Sequence, residues 1–148
     1  MPALNIHATA LLVGDRGVLV TGASGSGKTT LALAMVDRFG SRGRLCRLVG
    51  DDRLFVSARA GHVVCRVPAA IAGLVEVHGI GPRSVAHEPA VVVDLVLRLV
   101  PAVEAERFQA EAAETIAGCR LPRIDLAERN VAAALPIVAA RLGLAPFV

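Results

Sequence analysis

Eight consecutive residues, Gly22-Ala23-Ser24-Gly25-Ser26-Gly27-Lys28-Thr29, constrain this chain more than any other part of it. They match G-x-x-x-x-G-K-[ST] with one additional glycine at position 25. An apolar β-type run, Val18–Thr21, leads into them. Thr30–Phe39 follows, with Leu31, Met35 and Phe39 at helical spacing. The glycines let successive backbone amides turn inward around an anion, and the amino end of the next helix adds positive potential. In such a loop the lysine reaches the β- and γ-phosphates of a nucleotide and the hydroxyl beside it ligates Mg²⁺. Gly22, Ala23, Ser24, Gly25, Ser26, Gly27, Lys28, Thr29 and Thr30 are therefore the expected nucleotide-binding residues, with ATP and Mg²⁺ as cofactors. A plain Gly/Ser-rich turn before a helix is the alternative, and the agreement of motif with context argues against it.

The rest of the chain is organised around that unit. Thr9–Val13 and Val18–Thr21 flank Gly14-Asp15-Arg16-Gly17, which predicts a hairpin. The helix over Thr30–Phe39 is expected to stop at Gly40. Leu45–Val49 predicts a strand ending at Gly50-Asp51-Asp52, and Arg53–Ala58 with His62–Val67 a second hairpin around Arg59-Ala60-Gly61. Leu74–His78 is a short strand candidate. Val91–Val100 is the strongest strand signal, with Val93, Leu95, Leu97 and Leu99 on one face. Glu104–Ala117 predicts a helix stopped by Gly118, and Pro136–Leu142 a last helix with proline at its first position. No repeat or linker interrupts residues 1–148, a length suited to a single domain. Hairpins around one strand–loop–helix unit predict a mixed α/β P-loop domain rather than a doubly wound parallel sheet.

Composition narrows the function. The chain is 54% hydrophobic, but its longest apolar stretch, Val91–Val100, is broken by Asp94 and Arg98 and is too short to span a bilayer. The start, MPALNIHATALLVGDRG, lacks the basic region of a signal peptide, so a cytoplasmic location is expected. Aromatics are 3%, all of them Phe, and 16 Lys+Arg are scattered, which argues against a nucleic-acid partner. Cys46, Cys65 and Cys119 stand far apart and suggest reduced, packed thiols.

Asp51-Asp52 closes a strand shortly after the phosphate-loop helix. A carboxylate there can hold Mg²⁺ or accept a proton from a hydroxyl; a solvated turn is the plainer alternative. Glu76, entering Gly79-Ile80-Gly81, is either a second metal ligand or an outward-facing strand residue. His7 by itself reads as an ordinary histidine.

Taken in order, these pieces resemble the HPr kinase/phosphorylase family. His7-Ala8-Thr9-Ala10-Leu11, fifteen residues before Gly22, is similar to the family's opening His-Gly-Val-Leu-Val. Gly50-Asp51-Asp52-Arg53 resembles its Ala-Asp-Asp-Arg, and Glu76-Val77-His78-Gly79-Ile80-Gly81 its Glu-Ile-Arg-Gly-x-Gly. Val93-Asp94-Leu95-Val96-Leu97-Arg98-Leu99-Val100-Pro101 looks like its Val-Asp-Leu-Val-x-x-Leu-Val-Pro. Glu106-Arg107-Phe108 stands at its Asp-Arg-Leu, and Leu121–Leu126 with Arg129-Asn130 at its Ile-Pro-Lys-Leu-Thr-Leu and Pro-Gly-Arg-Asn. The resemblance covers His7 to Arg141, and the ordered set is far more specific than the phosphate loop alone.

The resemblance implies ATP-dependent phosphorylation of a serine on the phosphocarrier protein HPr, and phosphate-driven reversal of it. It implies a phosphoenolpyruvate carboxykinase-like P-loop fold, the short form without the extra N-terminal domain, and a homo-oligomer, with the hexamer as the family's assembly. It assigns Lys28 to the phosphoryl group in flight, and Thr29, Asp51 and Glu76 to Mg²⁺. Asp52 takes the serine proton, His7 tunes the pair, and Arg107 contacts the transferring phosphate. Three positions depart from the pattern: His78 replaces Arg, Ala23 stands where Asp is common, and the stretch before Arg129 is about three residues shorter and lacks Pro-Gly. Two other classes of function fit part of the pattern: a nucleotide-binding regulator with little transfer, and a small-molecule P-loop kinase.

Overall fold

The computed structural model describes residues 3–147. In chain order the strands are β1 (Leu4–Ile6), β2 (Thr9–Val13), β3 (Arg16–Gly22), then helix α1 (Lys28–Ser41), β4 (Cys46–Gly50), β5 (Leu54–Arg59) and β6 (His62–Arg66). There follow β7 (Leu74–Val77), β8 (Gly81–Ser84), β9 (Ala90–Val100), β10 (Ala112–Ile116), β11 (Cys119–Ala127) and helix α2 (Val131–Leu142). Nine strands form one sheet in the order β1-β5-β6-β9-β3-β2-β4, with β11 also on β9 and β10 on β11; β7 and β8 form a separate hairpin. The predicted mixed α/β class is the observed one. No helix among the described residues is long and apolar enough to cross a membrane.

Strand direction decides where a site can lie. β3 runs parallel to β9, and β9 parallel to β11. β2 is antiparallel to both β3 and β4, so β3 and β4 also point the same way. The carboxyl ends of four strands and the start of β2 thus meet at one end of the sheet. That end is where open α/β sheets hold their ligands.

Two apolar layers flank the sheet. One contains Leu11, Val18, Val20, Leu95, Leu97 and Leu99 against α1 and α2; the other contains Ala8, Leu19, Val56, Val63, Val93 and Val96. Leu31, Met35 and Phe39 anchor α1, each fully buried, and burying such a side chain stabilises the fold by about 1.5–3 kcal/mol.

Val93 does not share the face of Leu95, Leu97 and Leu99, contrary to the simple alternation. Gly17 pairs with Val93 and Val18 with Leu95, leaving Asp94 as a one-residue bulge. Its carboxylate accepts the Gly17 amide hydrogen at 2.8 Å. Glycine is required at 17 because a Cβ there would overlap the Val92 carbonyl oxygen.

The helix ends also shift from the sequence pattern. α1 passes through Gly40 and ends at Ser41; the left-handed residue is Gly43, φ 79°. α2 begins five residues before Pro136, because the Asn130 side chain accepts from Ala133 N and caps it. Pro136 sits inside the helix on its exposed face.

The largest disagreement is at residues 104–117. Their Ala and Glu content favours a helix locally, yet a short 3₁₀ turn, Ala102–Glu104, leads into β10, which pairs along its length with β11. Ala117 and Gly118 have φ of 49° and 77°. Two left-handed residues in succession make a two-residue hairpin turn, so the glycine read as a helix stop joins two strands.

Candidate active site

Gly25 and Gly27 have φ of 79° and 95°, in the left-handed region that only glycine enters without cost. Their conformation turns the loop back on itself and aims it into α1, whose first residue is Lys28. Lys28 Nζ donates to the carbonyls of Gly22 (3.0 Å) and Ala23 (3.1 Å) and forms no ion pair among the described residues. It arches over the loop without a negative partner of its own.

β4 delivers the two aspartates into opposite surroundings. Arg53 N donates to Asp51 O at 2.8 Å across Asp52, whose φ is 70°. This three-residue turn sends one side chain inward and the next outward. Asp51 is 8% exposed, and its Oδ1 accepts from Thr29 Oγ1 at 2.8 Å and from Thr9 Oγ1 at 2.9 Å. The Asp52 side chain is 78% exposed, and His7 Nδ1 stands 3.9 Å from its Oδ1. One carboxylate is held by two hydroxyls; its neighbour faces solvent.

The resulting cleft has a volume of about 590 Å³. Thr9, Ser24, Gly25, Gly27, Lys28, Thr29 and Thr30 line one side, Asp51 and Asp52 another, and Glu76, Val77 and His78 the rim from the β7–β8 hairpin. Gly22, Ala23 and Ser26 belong to the same loop but not to this lining; Ser26 is fully buried and Ala23 exposed.

Arg107 is not brought here. It lines a separate cleft of about 800 Å³ with Arg120, Arg123 and Arg141, its guanidinium 5.6 Å from the Phe108 ring centre. It lies between the 3₁₀ turn and β10, on the segment misread as helix, and that path carries it away from the phosphate loop.

Two residues that touch the site were assigned no role from sequence. Thr9 is fully buried; its only signal is a hydroxyl in the apolar row with Leu11 and Val13. Arg129, with φ 54°, donates from Nε to Gly25 O (2.8 Å) and from its backbone N to Ser26 O (3.2 Å). It fastens the carboxyl end of β11 to the outer carbonyls of the loop.

Among the described residues no three His, Cys, Asp or Glu cluster as a metal cage. The donor set still fits Mg²⁺, a hard cation that takes one or two protein oxygens and fills its shell with water and substrate phosphate. The Thr29 hydroxyl gives its hydrogen to Asp51, leaving its lone pairs free. Asp51 Oδ2 accepts no side-chain hydrogen bond among the described residues.

A phosphate loop with a half-committed carboxylate pair is an arrangement that many transferases share, and comparison with known proteins separates them. Residues 1–129 match the family model described as HPr Serine kinase C-terminal domain. The chain belongs to this family. It is 34% identical over 116 residues to the HPr kinase/phosphorylase of Bordetella pertussis, covering 73% of this chain and 36% of that protein. It is 35% identical over 80 residues to that of Clostridium beijerinckii, covering 54% of this chain and 24% of that protein. The chain thus spans about a quarter to a third of the length of these relatives. The solved structure of the Hpr(Ser) kinase/phosphatase from Coxiella burnetii superposes with a TM-score of 0.78 at 26% identity, over 94% of this chain and 95% of that one.

Proposed function

We propose that this chain is the catalytic domain of a kinase/phosphorylase that moves a phosphoryl group between ATP and a serine of HPr. The observation that carries the reading is the split environment of Asp51 and Asp52 beside a complete phosphate loop. In the forward direction the serine hydroxyl passes its proton to Asp52, a Ser O–Pγ bond forms, the bond from Pγ to the bridging oxygen breaks, and ADP leaves. A serine hydroxyl is a weak nucleophile at neutral pH, and a positioned carboxylate contributes about 10²–10⁴-fold. In reverse, an oxygen of inorganic phosphate attacks the seryl phosphate, protonated Asp52 returns the proton to serine, and pyrophosphate leaves.

The loop amides from Ser24 to Thr29 hold the phosphate oxygens. Lys28 exchanges its two carbonyl partners for phosphate oxygens, which a cation without a carboxylate partner can do at little cost. Thr29, Asp51 and Glu76 are the residues that would hold Mg²⁺. When bound, the ion neutralises charge on the β- and γ-phosphates. His7 flanks Asp52 from the solvent side, where a protein substrate has access. The phosphoenolpyruvate carboxykinase-like fold, the single-domain organisation, the cytoplasmic location and a homo-oligomeric state belong to the same reading. Val103 and Phe108, 92% and 84% exposed, offer apolar surface for an assembly.

Incubation with ATP, Mg²⁺ and HPr tests it. Phospho-HPr is expected; transfer to a metabolite alone indicates a small-molecule kinase, and binding alone indicates a regulator. His78, where the family motif has Arg, and the shortened stretch before Arg129 favour the regulator. Asp52→Asn should lower transfer about 10²–10⁴-fold with nucleotide affinity retained. An active Asp52→Asn beside an inactive Asp51→Asn would exchange their roles.

A further inference from the structure

Thr9 contributes a second hydroxyl to a carboxylate oxygen that Thr29 already occupies. Its Oγ1 lies 2.9 Å from Asp51 Oδ1, and Thr29 Oγ1 lies 2.8 Å from the same atom. A hydroxyl carries a single hydrogen, and a carboxylate oxygen has about two acceptor sites. Both hydrogens are therefore spent on Oδ1, whose acceptor sites are filled. Oδ2 keeps its own, and both hydroxyl oxygens keep their lone pairs.

The position of Thr9 shows why the second hydroxyl matters. It is the first residue of β2, pairs with Val20 of β3, and is fully buried. It bonds to a residue 42 positions away, on the turn after β4. Thr29 sits at the start of α1, so Asp51 is gripped from the sheet and from the helix at once. With one hydroxyl, the plane of a carboxylate can still swing while that single bond is kept. A second hydroxyl, from the sheet rather than the helix, adds a second bond that any swing of the carboxylate plane must break, and the loss of a partner is costly in a buried site.

We infer that Thr9 is a positioning residue for the cation site: by donating to Asp51 Oδ1 it fixes the carboxylate so that Oδ2 and the Thr29 lone pairs face a divalent cation bound with the nucleotide. The inference rests on the phosphate-loop reading given above. It assigns Thr9 no contact with the cation itself. Residues that orient metal ligands from behind typically cost 10–100-fold in metal affinity when lost.

The test uses Mn²⁺ as a paramagnetic probe in the presence of ADP, with free Mn²⁺ followed by electron paramagnetic resonance. Thr9→Val keeps the shape and β preference and removes the donor. It should weaken Mn²⁺ binding about tenfold, while ADP affinity in EDTA stays at the wild-type value. Thr9→Ser, which restores a hydroxyl, should recover most of that affinity. Thr9→Ala removes the donor with less bulk and serves if the valine variant folds poorly by circular dichroism. Equal Mn²⁺ affinity in wild type and the donor-free variants would overturn the inference. So would a serine variant as weak as the valine one, or an ADP affinity in EDTA that falls in the same proportion. Wild-type protein that binds no Mn²⁺ with ADP would overturn the parent reading as well, so the two failures are read from different proteins.

Discussion

The lysine of the phosphate-loop cleft and two arginines beside the second cleft are held in opposite ways. In the phosphate-loop cleft, Lys28 rests on two backbone carbonyls at 3.0 and 3.1 Å. Behind the arginine-lined cleft, Arg98 donates to Asp125 from Nε (2.9 Å) and Nη2 (2.7 Å). Arg123 Nε lies 3.1 Å from the same carboxylate, and its Nη1 lies 3.8 Å from Glu114. Asp125 pushes the Arg98 guanidinium still further above its ordinary pKa. A carbonyl partner is neutral and readily exchanged for an anion, whereas a bidentate carboxylate is about twice as strong a partner and already satisfies the charge. Lys28 therefore keeps an exchangeable charge, whereas Arg98 and Arg123 are committed to holding β9, β10 and β11 together.

The sharpest break of this contrast is Lys28→Ala. Loss of an available cation should lower phosphoryl transfer by about 10³-fold or more and weaken ATP binding. Calorimetry showing wild-type ATP affinity, with wild-type turnover, would contradict it. Next is Asp125→Asn, which leaves two guanidinium groups without their carboxylate. Because Arg98 is 39% exposed, the expected loss is about 1–2 kcal/mol of stability, with activity per folded molecule unchanged. Urea melts and turnover measured together check both halves. Arg129→Ala should act mainly through the loop it ties down, raising the apparent KM for ATP about tenfold, about the effect of one charge-assisted hydrogen bond. An unchanged KM with a lowered melting temperature would make that residue purely structural.

The thiols supply a pH-dependent effect. Burial pushes Cys46 up to about 11 and Cys65 up to about 12. The folded state keeps both protons at pH values where the unfolded chain, with an ordinary thiol near 9, has released them. Stability should therefore fall as pH rises from about 9 toward 11. Native protein titrated with a thiol reagent at pH 8 should react first at Cys119, which is partly exposed. A fast reaction at Cys65 would show that its burial is transient.

These regions also differ in how much of them could be read in advance. The glycine-rich turn into α1, both early hairpins and the strand ending at Gly50 were legible, because glycine conformation and short-range alternation are local properties. Asp51, Asp52 and Glu76 were legible as candidates and do line one cleft. The segment after Pro101 was not: its Ala and Glu favour a helix in isolation, and only the long-range ladder with β11 overrides that preference. Thr9 was missed because a threonine in a strand looks like a strand former until a partner 42 residues away shows what its hydroxyl reaches. Arg107 was placed by resemblance to a motif, and a motif fixes sequence order without fixing which cleft a side chain enters.

The bulge at Asp94 makes β9 a strand read in two frames, with one residue as the comma between them. Val91 and Val93 are in phase with one layer, and Leu95, Leu97 and Leu99 with the other. Deleting Asp94 would leave every later side chain in its own layer, because the remaining residues then alternate without interruption. What changes is shape, since a bulge adds bend and right-handed twist to its strand. Gly22 pairs with Leu99, five residues beyond the comma, and a Cβ on Gly22 would come within 3.0 Å of it. The floor beneath the phosphate loop is therefore set by a residue that touches neither loop nor cleft. A deletion there would preserve the core and displace the site, the reverse of what a core substitution does.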